Sequence, residues 1–199
     1  MKFFEKAKQF DIILGSNSPR RKELMKESGI PFRVLKKSGK EDFPGNISPA
    51  EVAVFLSKEK AKAFAEEIKK QNTILITADT IVVCDSEIMN KPGNNAEAEA
   101  MLENLSGKTH KVITGVSITT KESQHTFHTE TLVKFKILDK EEIQYYINKY
   151  KPLDKAGSYG IQEWIGSIGI EMINGSYNNV VGLPVHKVYS IIKDIIMAK

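Results

Sequence analysis

Apolar runs and capped amphipathic stretches alternate along the first half of the chain. Asp11 to Gly15, with Ile12-Ile13-Leu14 at its centre, predicts a short buried strand. Ser16-Asn17-Ser18 follows as a polar turn. Pro19 then sits at a first helical position with Ser18 as N-cap, and Leu24, Met25 and a stop at Gly29 predict a helix of about ten residues. Ser48-Pro49-Ala50-Glu51 is a capping box with proline at N1, and Val52, Phe55, Leu56, Ala63 and Phe64 recur at helical spacing to about Lys69. Thr73 to Thr77 predicts a strand with Asp79 at its end, and Ile81-Val82-Val83 is a further apolar run. Asn94 and Glu97 cap a helix carrying Ala98, Met101, Leu102 and Leu105, with Gly107 beyond it.

The second half is richer in strands. Thr109–Thr120 and Phe127–Ile137 are β-branched runs joined by a polar Thr119–Gln124 turn. Asp139 with Glu142 caps a helix holding Ile143, Tyr146 and Ile147. Ser167–Ile173 reads as a strand, Asn174-Gly175 as a hairpin turn and Ser176–Val181 as the returning strand. Pro184 opens a terminal helix with Val188, Ile191, Ile192 and Ile195 on one face. Early alternation followed by clustered strands points to an α/β protein with a mixed sheet rather than a pure doubly wound fold.

Composition narrows the class. In 199 residues, 41% apolar and 27% charged content describes an ordinary globular chain, not a disordered or fibrous one. A single cysteine, Cys84, excludes an internal disulfide and a zinc site with two thiolates from one chain. The net charge of +4 is spread thinly, with no basic stripe of the kind nucleic-acid binding requires. No apolar run approaches the roughly 18–20 residues of a membrane span, and the N-terminus lacks the apolar core of a secretory signal, so cytoplasm is the expected location.

Four segments carry candidate chemistry. Gly15-Ser16-Asn17-Ser18-Pro19-Arg20-Arg21 joins a strand end, a helix N-terminus, two hydroxyls and two guanidiniums, a combination that attracts phosphate. The plain alternative is that Ser18 only caps and both arginines face water. Thr77-Ala78-Asp79-Thr80 places a carboxylate between apolar runs, where burial demands a partner: a metal, a basic side chain or a turn to cap. Asp154-Lys155-Ala156-Gly157-Ser158-Tyr159-Gly160-Ile161-Gln162 is non-periodic and resembles a binding loop; the Gln162 amide can read a base edge, and Tyr159 or Trp164 can stack or be core. Asn174 to Pro184 combines the turn with a Gly182-Leu183-Pro184 step that either aims N–H groups at a pocket or simply punctuates. Glu41 lies in a polar stretch able to reach Asp79, and Lys60 and Lys91 are either solvated charges or neutralisers of a polyanion. There is no Walker A or dinucleotide fingerprint, no His ligand spacing, and no base next to Ser16 or Ser18.

In this order and spacing the segments resemble the Maf family of nucleoside triphosphate pyrophosphatases. Ser16-x-Ser18-Pro19-Arg20-Arg21, Ala78-Asp79-Thr80 and Gly157-Ser158-Tyr159-Gly160-Ile161-Gln162 carry the resemblance, which runs from about Ile12 to Ile192. It implies one α/β domain over residues 1–199, with an elongated mixed sheet flanked by helices and two lobes around a cleft, related to the inosine triphosphatase architecture. The implied reaction is cleavage of a nucleoside triphosphate between the α and β phosphates with Mg²⁺ or Mn²⁺. The Gly-Ile-Gln form points to the dTTP and UTP subgroup. By motif, Asp79 matches the proton acceptor; Arg21, Thr80 and Gln162 match positions of substrate choice; Ser16, Arg20, Glu41, Lys60 and Lys91 match other polar site positions, with Ser18 in the same substrate loop. Asp79 and Glu41 are the expected metal carboxylates, and the resemblance implies a homodimer. Four departures stand out: Asn17 and Gly15 in the first motif, Lys40 beside Glu41, and Glu163 where glycine is frequent. Two other classes share these residues, a different metal-dependent phosphohydrolase and a non-enzymatic nucleotide sensor.

Overall fold

A computed structural model describes residues 2–37 and 42–199. Among the described residues, seven strands form one mixed sheet in the order β2-β1-β3-β5-β6-β7, with β4 pairing on β3. The chain opens with α1 (Lys2–Ala7), β1 (Asp11–Gly15), α2 (Pro19–Glu27) and β2 (Arg33–Leu35). Next come α3 (Pro49–Lys62), α4 (Ala65–Ile68), β3 (Thr73–Cys84), β4 (Glu87–Met89), α5 (Asn95–Leu105), β5 (Thr109–Thr119) and β6 (Gln124–Phe135). After α6 (Lys140–Tyr150) a 3₁₀ turn (Ala156–Ser158) leads to α7 (Trp164–Gly169), β7 (Ile170–Asn174), α8 (Tyr177–Val181) and α9 (Val185–Ala198). The mixed α/β class expected from the sequence is the class observed.

The chain divides into two compact units. One comprises Met1–Asp79, Thr114–Thr129 and Gly182–Lys199, the other Thr80–Ile113 and Glu130–Val181. In the first, β1 runs parallel to both β2 and β3, with Leu14 opposite Ile76. Helix α3 covers β3 and β5 there. Ile13, Leu75, Ala61 and Phe64 form a buried cluster, Thr77 Oγ1 donates to the Ser57 carbonyl at 2.7 Å, and Ser57 Oγ meets Ser117 Oγ at 3.0 Å. The helix lies against bare backbone at Gly115, where a Cβ would come within 2.2 Å of Ala53 carbonyl atoms. Any side chain at this position would lift α3, and Lys60 with it, off the sheet.

In the second unit, β6 and β7 pair antiparallel, Leu132 opposite Asn174, with a register shift at Lys134–Phe135. Helix α5 is capped by Asn94, and α6 by an Asp139/Glu142 capping box. Phe135, Tyr146, Leu102, Leu105 and Ile165 are fully or almost fully buried.

The caps at Ser18, Ser48, Asn94 and Asp139 are as the sequence predicts. Four elements differ. The strand expected from Ser167 begins only at Ile170, because Ser167–Gly169 close the short helix α7, where the Gly166 and Ser167 N–H groups donate to the Glu163 carbonyl. The second predicted helix, expected to run to about Lys69, breaks after Lys62, because Phe64 leaves helical geometry (φ −109°, ψ 25°) to bury its ring against Ile13 and Leu75. Thr73–Cys84 is one continuous strand, so Asp79 lies inside it rather than at its end. Ser176–Val181 is not a returning strand: α8 forms there, begun by hydrogen bonds from the Asn179 N–H to Ser176 and anchored by the buried Asn179 amide, which donates to the Val112 carbonyl and Thr131 Oγ1 at 3.0 Å each. Tertiary hydrogen bonds to a buried amide outweigh the hairpin signal of Asn174-Gly175.

Candidate active site

Strand β1 ends at Gly15, level with Thr77 of its parallel neighbour; a Cβ on Gly15 would lie 3.0 Å from Thr77 Cγ2. Asp79 is two residues farther along β3, a rise of about 7 Å. The Ser16–Ser18 turn therefore leaves the sheet on the side where Asp79 lies, the carboxyl end of parallel strands, where α/β proteins bind ligands. Within the turn, Ser16 Oγ accepts from the Ser18 N–H at 3.2 Å, and Ser18 Oγ accepts from the Arg21 N–H at 3.3 Å. The capping reading of Ser18 is thus realised, and two N–H groups that the sequence offered to an anion are engaged by hydroxyls.

Arg20 and Arg21 occupy the first turn of α2, both half-buried. Arg21 Nε donates to the Gly182 carbonyl at 2.7 Å. Gly182 has φ +128°, a conformation that suits glycine, so the Gly-Leu-Pro step does more than punctuate: its carbonyl fixes the root of a guanidinium.

Lys60 and Asp79 meet directly. Alternation along β3 puts Leu75, Thr77 and Asp79 on the face covered by α3, and Ser57, Lys60, Ala61 and Phe64 follow helical spacing on the facing side. Lys60 Nζ donates to Asp79 Oδ1 at 2.5 Å, with side chains 20% and 12% exposed. The ammonium offsets the cost of holding a carboxylate inside a strand, which is why the strand does not stop at Asp79. Glu41 lies outside the described residues. Among the described residues no three His, Cys, Asp or Glu side chains gather into a metal-binding group.

The remaining candidates belong to the second unit. Thr80 is half-buried on β3, and Lys91 is exposed just after β4. The residue before Lys91, Asn90, accepts from the Gly157 N–H at 3.3 Å, which draws Lys91 and the Gly157–Gln162 segment together. Gln162 is exposed. Tyr159 is 6% exposed and is core: His110 and Phe135 lie edge-on to it at 5.3 and 5.0 Å, and His110 Nε2 shares a 2.7 Å hydrogen bond with its hydroxyl. Burial pushes the His110 pKa down to about 4 and the Tyr159 phenol up. Trp164 packs edge-on against Tyr145 at 4.8 Å.

Sequence reasoning missed Ser57, which seats α3, and it gave Tyr146 only a core role. No local signal marks either one, since each acts through a residue distant in the chain. It saw Glu163 only as a departure from the family pattern.

A family model described as Maf-like protein matches residues 11–195. The dTTP/UTP pyrophosphatase of Phocaeicola vulgatus is 50% identical over 95% of this chain and 98% of its own length. The protein of the same name from Porphyromonas gingivalis is 47% identical, covering 94% and 95%. Among solved structures, a HAM1 protein from Coxiella burnetii superposes with a TM-score of 0.50 at 10% identity, over 93% of this chain and 99% of that one, a likeness of fold. With a family match spanning β1 to α9 and near-half identity over about 95% of the chain, this protein belongs to the Maf-like family.

Proposed function

We propose that the chain hydrolyses nucleoside triphosphates, dTTP and UTP foremost, at the α–β linkage, releasing the nucleoside monophosphate and pyrophosphate. Relatives named dTTP/UTP pyrophosphatase at 47–50% identity support the substrate class. The observation that carries the chemistry is the Lys60–Asp79 contact, a charged pair set beside the turn that bears Ser16, Ser18, Arg20 and Arg21.

In this reading Asp79 orients the attacking water and accepts its proton. The water oxygen bonds to the α-phosphorus as the bond from that phosphorus to the bridging oxygen breaks, and pyrophosphate leaves with the electron pair. Lys60 holds the carboxylate in place. Arg20, Arg21 and Lys91 balance negative charge growing on the phosphate oxygens, and Arg21 does so from a side chain rooted on Gly182. Thr80 and Gln162 serve substrate choice.

A divalent cation fits this donor set. Mg²⁺ favours one or two carboxylates together with substrate phosphates, so Asp79, with Glu41 as the second carboxylate the resemblance implies, would be enough to hold it. When bound, Mg²⁺ or Mn²⁺ would supply acidification of water and neutralisation of the triphosphate. No described helix is long and apolar enough to cross a membrane. A cytoplasmic homodimer completes the proposal on the family resemblance.

The test is a panel of dTTP, UTP, CTP and 7-methyl-GTP with Mg²⁺ or Mn²⁺, with products resolved. Monophosphate and pyrophosphate in equal amounts are expected, fastest from dTTP and UTP. Stepwise orthophosphate release would assign a different phosphohydrolase, and intact triphosphates after long incubation would assign a sensor.

A further inference from the structure

One phenol holds both sides of the turn that presents Gln162. Tyr146, fully buried on α6, donates its hydroxyl hydrogen to Glu163 Oε2 and accepts from the Gly160 N–H at 3.0 Å. The turn is closed on itself by the Glu163 N–H donating to the Gly160 carbonyl at 3.0 Å. Lys155, 7% exposed, places Nζ 3.0 Å from Glu163 Oε1 and 2.7 Å from Asp154 Oδ1. Gly160 lies so close to this group that a Cβ there would be 2.8 Å from Glu163 Cδ and 3.1 Å from Lys155 Cε. Of the four turn residues, Gly160 and Ile161 are buried, Glu163 is half-buried and Gln162 is exposed. Burial and the Glu163 carboxylate both hold the Tyr146 phenol in its protonated, donating form.

We infer that Tyr146, Glu163 and Lys155 are positioning residues that set the direction of the Gln162 amide and thereby the base selectivity of the reaction. The inference rests on the proposed role of Gln162 in substrate choice. An amide discriminates between bases only when its donor and acceptor ends are aimed, because a freely turning amide satisfies a 4-oxo and a 4-amino pyrimidine equally well. Nothing in the turn's own sequence aims it. The aim comes from fixing the residues on both sides, and a half-buried ion pair with a shared buried phenol does so at low cost in side-chain entropy. Glu163, a departure from the frequent glycine of the family, thus acquires a role.

The experiment compares kcat/KM for dTTP and dCTP, read as pyrophosphate release, in wild type, Tyr146→Phe, Glu163→Gln, Gln162→Ala and the double variant Tyr146→Phe/Gln162→Ala. Tyr146→Phe removes one oxygen and keeps the ring; Glu163→Gln provides the independent variant should that protein fold poorly. The expected result is a fall of about tenfold in the dTTP-to-dCTP ratio for each clamp variant, with kcat on dTTP changing less than the ratio. In the Gln162→Ala background, Tyr146→Phe should produce no further fall. An undiminished ratio in folded Tyr146→Phe and Glu163→Gln proteins overturns the clamp, as does a loss that persists without Gln162. Failure of the wild type to release pyrophosphate from either nucleotide overturns the proposed reaction, a result visible before any variant is compared.

Discussion

Each unit of the molecule contains a lysine–carboxylate pair withdrawn from solvent, and the two are built differently. Lys60 and Asp79 come from a helix and a strand 19 residues apart and meet at 2.5 Å, Asp79 lying at the end of the sheet where the Ser16–Arg21 turn leaves it. Lys155 and Glu163 come from one irregular segment and are tied further to Asp154, to the Tyr146 hydroxyl and, through that hydroxyl, to the Gly160 backbone. A carboxylate with several fixed partners is a structural joint, since its oxygens are committed and its movement would strand other groups. One held mainly by an ammonium can exchange that contact for water, phosphate or cation as a reaction proceeds. Ion pairing alone therefore does not mark catalysis; the shared phenol and the backbone it holds mark the Lys155–Glu163 pair as a joint.

The sharpest way to break this contrast is to neutralise Asp79. Asp79→Asn keeps the volume and an oxygen to accept from Lys60, so unfolding free energy should fall by about 1–3 kcal/mol, the worth of a charge-assisted hydrogen bond, and the protein should still fold. Pyrophosphate release from dTTP should fall by about 10²–10⁴-fold. Near-normal release by a folded Asp79→Asn protein would remove Asp79 from the chemistry.

Acid should next distinguish the units by stability. His110 has its pKa depressed by burial to about 4, against about 6.5 when unfolded. Between those values the unfolded chain binds the extra proton, so stability is present above pH 6.5 and drains away as pH falls toward 4. The loss attributable to this one group is on the order of 3 kcal/mol. Denaturant unfolding of wild type and of His110→Phe/Tyr159→Phe across that range should give a steeper slope for wild type, because the double variant removes the titrating ring and its phenol partner together. Equal slopes would show that His110 is not what couples folding to pH.

The smallest effect expected is at Arg21. Arg21→Lys retains the charge but loses the Nε donor to the Gly182 carbonyl, so the cation is no longer rooted. A drop of about tenfold in kcat/KM for dTTP, roughly 1.4 kcal/mol, should accompany little change in unfolding. An unaltered kcat/KM would reduce the Gly182 contact to a fold contact.

Helix starts were read correctly from local sequence. Ser18, Ser48, Asn94 and Asp139 each bond to a backbone N–H three residues away, so dihedral preference and one short hydrogen bond settle where those helices begin, whatever surrounds them. The residue types at Ser16–Arg21, at Asp79 and at Gln162 are what suggested phosphate and base chemistry, and the proposed function rests on that reading. What sequence could not weigh was compensation supplied from far along the chain. Asp79 looked like a strand end because an isolated carboxylate should break an apolar run, and Lys60 removes that penalty. Ser176–Val181 looked like a strand because Asn179 gave no sign that Val112 and Thr131 would receive its amide. Tyr146 looked like an apolar helix position, and its hydroxyl acquires a task only when Gly160 and Glu163 fold against it. Tertiary structure decided these cases, since the free energy of a buried polar group depends on the partner it meets, and that partner is chosen by the fold.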